Sequence, residues 1–149
     1  MIDISAVLTA DNIAVSSEVS SKKRVLEALS QLMIMGHPEL NPKLLFAAMM
    51  DRERLGTTAM GNGIAIPHGR MEGLEQTVGG FIQLKPGINF DAPDNQPVDL
   101  VFGLLVPESA DAEHLALLSS IAQFFNNAEN CAQLRAAKDN KILLKILIS

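Results

Sequence analysis

The segment Gly61-Asn62-Gly63-Ile64-Ala65-Ile66-Pro67-His68-Gly69-Arg70 reads as a glycine-flanked turn that leads into a short apolar strand over 63–66 and stops at Pro-His-Gly. Upstream, residues 22–35 place Val25, Leu29, Leu32 and Met33 at three-to-four spacing. Ser20 and Ser21 stand before them as cap candidates, and Gly36 and Pro38 stop the run, so a helix is expected. Asn41 caps a second helix, with Pro42 at its first position and Gly56 just past its end. Further strands are expected over 13–15, 78–84, 88–90 and 100–106. A helix follows from Asp111 to about Phe125, and the tail from Cys131 holds two more short helical segments that end in the amphipathic run 141–148. Strands and helices in irregular alternation point to an α+β fold, a mixed α/β sandwich, with the strand order left open.

The 149 residues match the size of one domain, and no repeat or linker divides them, so a single unit over 1–149 is expected. With 48% apolar and 19% charged residues and a mean hydropathy of +0.20, the chain has material for a core. Seventeen acids against twelve Lys and Arg give a net charge of −5, which repels a phosphate backbone and suits a basic protein partner rather than nucleic acid. All aromatic residues are Phe, so base-stacking platforms have little to be built from. One cysteine, Cys131, forms no internal disulfide, and neither a leader pattern nor a membrane span is visible. A reducing, cytoplasmic setting without membrane insertion is the expectation.

Three residues carry candidate chemistry. His68 is delivered to a strand end, where Pro67 fixes its approach and Gly69 removes bulk beside the ring; it reads as a nucleophile or as an ordinary turn histidine. At ~100° per residue, the second helix puts Arg52 in the middle of a stripe of Leu45, Ala48, Met49 and Leu55, with Arg54 opposite. An arginine on an apolar stripe needs an anion, either a structural acid or a ligand such as a phosphoryl group. The same wheel gathers Leu117, Leu118, Ile121 and Phe125 around His114, in the first turn of its helix, where the dipole favours the neutral ring. That histidine is either a satisfied core residue or a donor to an anion. His37, between Gly36 and Pro38, reads as a solvated residue at a helix end and not as a site. The histidines and Cys131 lack metal-site spacing, and no nucleotide-binding glycine loop or serine-hydrolase elbow is present, so no cofactor or metal is expected.

Taken together, Arg52-Glu53-Arg54-Leu55-Gly56-Thr57-Thr58, the run 61–69, and His114-Leu115 with Ser119 resemble the enzyme IIA domains of the phosphotransferase system, fructose/mannitol class, over nearly the whole chain. The separations Arg52 to His68 and His68 to His114 agree with that family. Phe90-Asp91-Ala92-Pro93-Asp94-Asn95-Gln96-Pro97-Val98-Asp99-Leu100, Leu104-Leu105-Val106-Pro107 and Ser21-Lys22-Lys23-Arg24 resemble its nitrogen-regulatory branch (EIIA-Ntr). Thr57 stands where that branch often has serine, and Ala59 where it often has glycine. The resemblance implies a mixed parallel/antiparallel sheet flanked by helices. It also implies that His68 accepts a phosphoryl group, at Nε2, from a histidine phosphocarrier protein of the nitrogen system, with Arg52 and His114 in support. Thr57, Thr58, Gly61, Asn62 and Gly63 are expected to bind the phosphoryl group.

Two functions remain open on this reading. One is a regulator whose phosphorylation state controls partners such as potassium transport systems and sensor kinases. The other is a sugar-specific IIA that passes the phosphoryl group to a IIB permease domain. The branch motifs, and the lack of a fused IIB or membrane domain in the sequence, favour the first.

Overall fold

A computed structural model describes residues 3–149; Met1 and Ile2, the start of the expected 1–149 unit, lie outside the described residues. Strand β6 (Val98–Pro107) is the axis of a six-stranded mixed sheet. One edge pairs antiparallel with β5 (Val78–Ile88), which in turn pairs parallel with β1 (Ile13–Ser17). The other edge is shared by β3 (Ile64–Ala65) and β4 (His68–Met71), both parallel to β6, and β2 (Ala59–Gly61) extends the sheet beyond β3.

Successive residues of the long strands alternate between two cores, as the period of a strand requires. Ile82, Val101 and Leu105 point to one face, where Val25, Leu26, Leu29 and Met33 of α2 (Lys22–Met33) and Leu45 and Met49 of α3 (Pro42–Glu53) cover them. Phe81, Phe102 and Leu104 point to the other. There α1 (Ile4–Val7), α4 (Ala112–Phe125), α5 (Ala128–Ala136) and α6 (Asn140–Ile148) supply Ile4, Leu117, Ile121, Phe125, Leu134, Leu143 and Leu147. Phe81, Phe102 and Phe125 meet with centroids 6.1–6.3 Å apart. The result is a helix–sheet–helix sandwich, the α+β class expected. No helix among the described residues is long and apolar enough to cross a membrane.

Element boundaries differ from the expectation where tertiary hydrogen bonds intervene. Helix α2 ends at Met33, not at residue 35. Buried Asn12 donates through Nδ2 to the Leu32 and Met35 carbonyls at 2.8 and 3.2 Å, taking over acceptors at the helix end. The separate strands expected over 78–84 and 88–90 are one strand. A register shift between Gln83 and Ile88 lets Ile88 pair with Val98 beyond Pro86, and Phe90 lies outside the strand. The strand expected over 63–66 holds only Ile64 and Ala65, because Pro67 has no N–H to continue the ladder. His68 therefore opens a new strand rather than ending the old one. Short β2 and α1 carried no readable period.

Gln83 is a buried polar residue that patterning does not reveal. Its Nε2 donates to the Leu134 and Ala137 carbonyls at 2.7 and 2.9 Å, and its Oε1 accepts the Ser16 N–H at 2.9 Å, where β1 is bulged. One side chain thus ties the sheet to the C-terminal end of α5. Gln83→Leu should leave these groups without partners and destabilise the protein by about 2–4 kcal/mol. Urea unfolding monitored by circular dichroism checks this, with an unchanged m-value as the sign that only stability moved.

Candidate functional site

The break at Pro67 creates the central feature of the site. Ile66 donates its N–H to Thr58 O at 3.1 Å, and Leu104 N–H is taken by Pro67 O at 2.9 Å. The Ile66 carbonyl then accepts from Nδ1 of His68 at 2.7 Å. A carbonyl only accepts, so the proton sits on Nδ1, and in the neutral ring Nε2 is left with its lone pair. Nε2 has no hydrogen-bond partner among the described residues, and the ring lines a cleft of about 420 Å³. An unengaged imidazole nitrogen facing a cleft is a competent nucleophile.

The cleft lies at the open edge of β4, so α3 walls it on one side and α4 on the other. Arg52 reaches it from α3, His68 and Arg70 from β4, and His114 from α4. The three residues expected to act together, Arg52, His68 and His114, are thereby brought into one cavity. Arg52 donates through Nη1 to the Gly56 carbonyl at 3.0 Å and has no acidic partner within ion-pair distance among the described residues. Arg54 points away and pairs with Asp51 at 2.8 Å, as the helical phase requires. His114 is partly buried, with 18% of its side chain exposed, and its Nδ1 lies 3.2 Å from Oδ1 of Asp111, the α4 cap. The hydrogen bond from His114, followed by that from the Glu113 N–H, holds the Asp111 carboxyl below the usual carboxylate range.

The structure also places the other residues singled out by sequence. Leu55 is not buried with Leu45 and Met49: it follows the end of α3 at Glu53 and stands 83% exposed at the rim of the cleft, on the side of Ala48 and Arg52. Gly69 lines the cleft beside His68, and a Cβ there would meet Leu105 Cδ2, Ala48 O and Arg52 Cβ at 3.6–3.7 Å, ordinary contact distances. Thr57 and Thr58 do not line the cleft. The Thr57 hydroxyl donates to Phe90 O at 2.7 Å, and Thr58 gives both its hydroxyl and its N–H to Glu53. Gly61, Asn62 and Gly63 also lie apart from it. All three have positive φ, the Asn62 N–H goes to Asp94 at 2.9 Å, and the Asn62 carbonyl is taken by Arg135, itself paired with Asp99 at 2.8 Å. His37 stands outside the cleft, with Nδ1 facing Gln76 Nε2 at 3.1 Å.

Two groups went unread in the sequence. Arg70 is the second guanidinium of the cleft; its Nη1 donates to the Glu108 and Ala110 carbonyls at 3.1 and 3.0 Å, and its place two residues after His68 on one strand was the signal available. Glu53 is buried and paired with Lys22 at 3.0 Å, a contact with no trace in either helix taken alone. No group of three or more His, Cys, Asp or Glu side chains among the described residues is arranged to hold a metal ion. A nucleophilic imidazole beside two guanidinium groups and a second histidine is suited to a compact, multiply charged oxyanion.

The chain resembles known proteins over nearly its whole length. The family described as "Phosphoenolpyruvate-dependent sugar phosphotransferase system, EIIA 2" matches residues 6–149. A nitrogen regulatory protein of Pseudomonas aeruginosa is 40% identical over 148 residues, covering 99% of this chain and 96% of that protein. One of Escherichia coli K12 is 42% identical over 147 residues, covering 98% and 90%. The crystal structure of nitrogen regulatory protein IIA-Ntr from Neisseria meningitidis superposes with a TM-score of 0.91 at 39% identity, covering 97% of this chain and 98% of that one. The chain therefore belongs to the EIIA 2 family of the phosphoenolpyruvate-dependent sugar phosphotransferase system, within its nitrogen-regulatory branch.

Proposed function

We propose that His68 accepts a phosphoryl group at Nε2 from the phosphohistidine of a small carrier protein of the nitrogen phosphotransferase system, and that the phosphorylation state then governs which proteins this chain binds. The observation that carries this reading is the 2.7 Å bond from Nδ1–H to the Ile66 carbonyl, which leaves the Nε2 lone pair for the cleft. In the transfer the N–P bond of the carrier breaks as the bond to Nε2 forms, with the two nitrogens in line and the three oxygens spread between them. Such a step asks the protein for positioning and charge stabilisation. Arg52, without an ion-pair partner among the described residues, is assigned to those oxygens together with His114. Thr57, Thr58 and the turn 61–63 serve by fixing the loops around the strand break.

The rim supports a protein donor rather than a small molecule. Leu55 and Leu115, 83% and 59% exposed, flank the opening from α3 and α4 and can exclude water from the labile N–P bond. Exposed Asp51, Glu108, Asp111 and Glu113 around them suit a basic carrier surface. The regulated partners are proposed from the family resemblance as potassium transport systems and sensor kinases, in the cytoplasm. Transfer of label onward to a purified IIB domain would instead favour the sugar-specific role.

Incubation with the phosphorylated carrier should add one acid-labile phosphoryl group, seen by intact-mass spectrometry, and His68→Ala should abolish it while the circular dichroism spectrum persists. Undiminished labelling of that folded variant would overturn the assignment. In single-turnover labelling, Arg52→Ala should slow transfer about 100-fold, the size of a lost oxyanion donor, whereas Arg54→Ala should stay within about twofold of wild type. Equal losses would place the phosphoryl oxygens elsewhere.

A further inference from the structure

The carboxylate of Asp111 is in hydrogen-bond contact with a cleft histidine, a contact to which the transfer reading gives no role. Its Oδ1 accepts the Glu113 N–H at 3.0 Å and lies 3.2 Å from Nδ1 of His114, and the Asp111 N–H meets the same Nδ1 from 3.4 Å. A ring nitrogen can serve only one of these partners at a time. Unprotonated, Nδ1 accepts from the backbone and the neutral ring carries its proton on Nε2; protonated, it donates to the carboxylate. His68 is the contrast, since its Nδ1 faces a carbonyl that can only accept.

The charged and titratable groups around His114 are Asp51 and Arg52 from α3, His68 and Arg70 from β4, Glu108 and Asp111 from the preceding loop, and Glu113 from its own first turn. Asp51 is committed to Arg54, so Asp111 is the acid within hydrogen-bond reach of the ring among the described residues. The His114 ring shares the cavity with the two guanidinium groups of Arg52 and Arg70. A phosphoryl group on His68 would add negative charge beside it.

We propose that phosphorylation of His68 draws a proton from solvent onto His114, and that the resulting imidazolium bridges a phosphoryl oxygen, through Nε2–H, to the Asp111 carboxylate, through Nδ1–H. The inference rests on His68 being the phosphoryl acceptor. The proton comes from bulk water and its buffer, no electrons change hands, and the phosphoryl bonds made and broken are those of the transfer itself. Asp111 is then a positioning residue, and linkage requires phosphoryl occupancy to rise as pH falls, because the phosphorylated state binds the additional proton. The carboxyl remains charged across the histidine range, as an ordinary aspartate does.

Ring ¹⁵N spectra of His114, before and after phosphorylation by the carrier, test this together with Asp111→Asn, which keeps an oxygen for the Glu113 N–H and removes the charge. In wild type at pH 7 the ring should pass from one protonated nitrogen to two on phosphorylation. Calorimetry in buffers of different ionisation enthalpy should register the matching proton uptake. Asp111→Asn should show less uptake and an occupancy about two- to fivefold lower at pH 7, the size an exposed ion pair supports, with recovery at lower pH. A phosphorylated wild type whose His114 stays neutral, or a variant with undiminished uptake, would overturn the proposal. Absence of any phosphoryl uptake by wild type would overturn the acceptor reading itself, and this inference with it.

Discussion

Hydrogen bonding along β6 constrains everything built around it. One edge of this strand is consumed by β5, and the other must be satisfied by a chain interrupted at Pro67. The ladder survives because β3 and β4 take separate portions of β6, and the Pro67 carbonyl bridges the gap by accepting from Leu104. Backbone groups that would be costly to bury unpaired are thus all but accounted for. The carbonyl left over, that of Ile66, orients His68. The catalytic tautomer proposed for His68 is therefore a by-product of strand accounting.

Charge is partitioned by the same logic of local commitment. Arg52 and Glu53 are neighbours on α3, yet Glu53 turns inward to Lys22 and Thr58 while Arg52 turns to the cleft. Had Arg52 met a carboxylate, an incoming anion would have to displace it. A buried acid satisfied by Lys22 and by the Thr58 N–H and hydroxyl removes that competition, and it also ties the first turn of α2 to the last turn of α3. Lys22 additionally stands over the Phe90 ring at 4.8 Å, so the junction joins both helices to the loop after β5.

The helices were legible because their signals are local: Asn41 and Pro42 open α3, and Asp111 opens α4, as read. The phase of α3 correctly sent Arg52 and Arg54 to different sides, and gave no sign that Leu55 would stand exposed, because periodicity says nothing of where a helix ends. The loop residues Thr57 and Thr58, and the turn at Asn62, were assigned to the site by resemblance, whereas their polar atoms answer to Phe90, Glu53, Asp94 and Arg135. Such pairings join segments distant along the chain, and composition does not encode them. Gln83 and Arg70 were missed for related reasons: one is a polar residue in an otherwise apolar strand, and the other is a cation beyond the motif that drew attention.

The two cores have unequal reach along the chain. The one beneath α2 and α3 draws its buried members from residues 25–105, whereas the Phe81–Phe102–Phe125 core needs Ile4 at one end and Leu147 at the other. Asn140, which donates to Ala10 O at 3.0 Å, closes that circuit. A chain emerging from the ribosome in sequence order can assemble the first core while its C-terminal helices are still unmade, but the second must wait for the last residues and then recover a segment synthesised at the outset. The His68 cleft takes one wall from each, so a half-finished chain lacks the wall that carries His114.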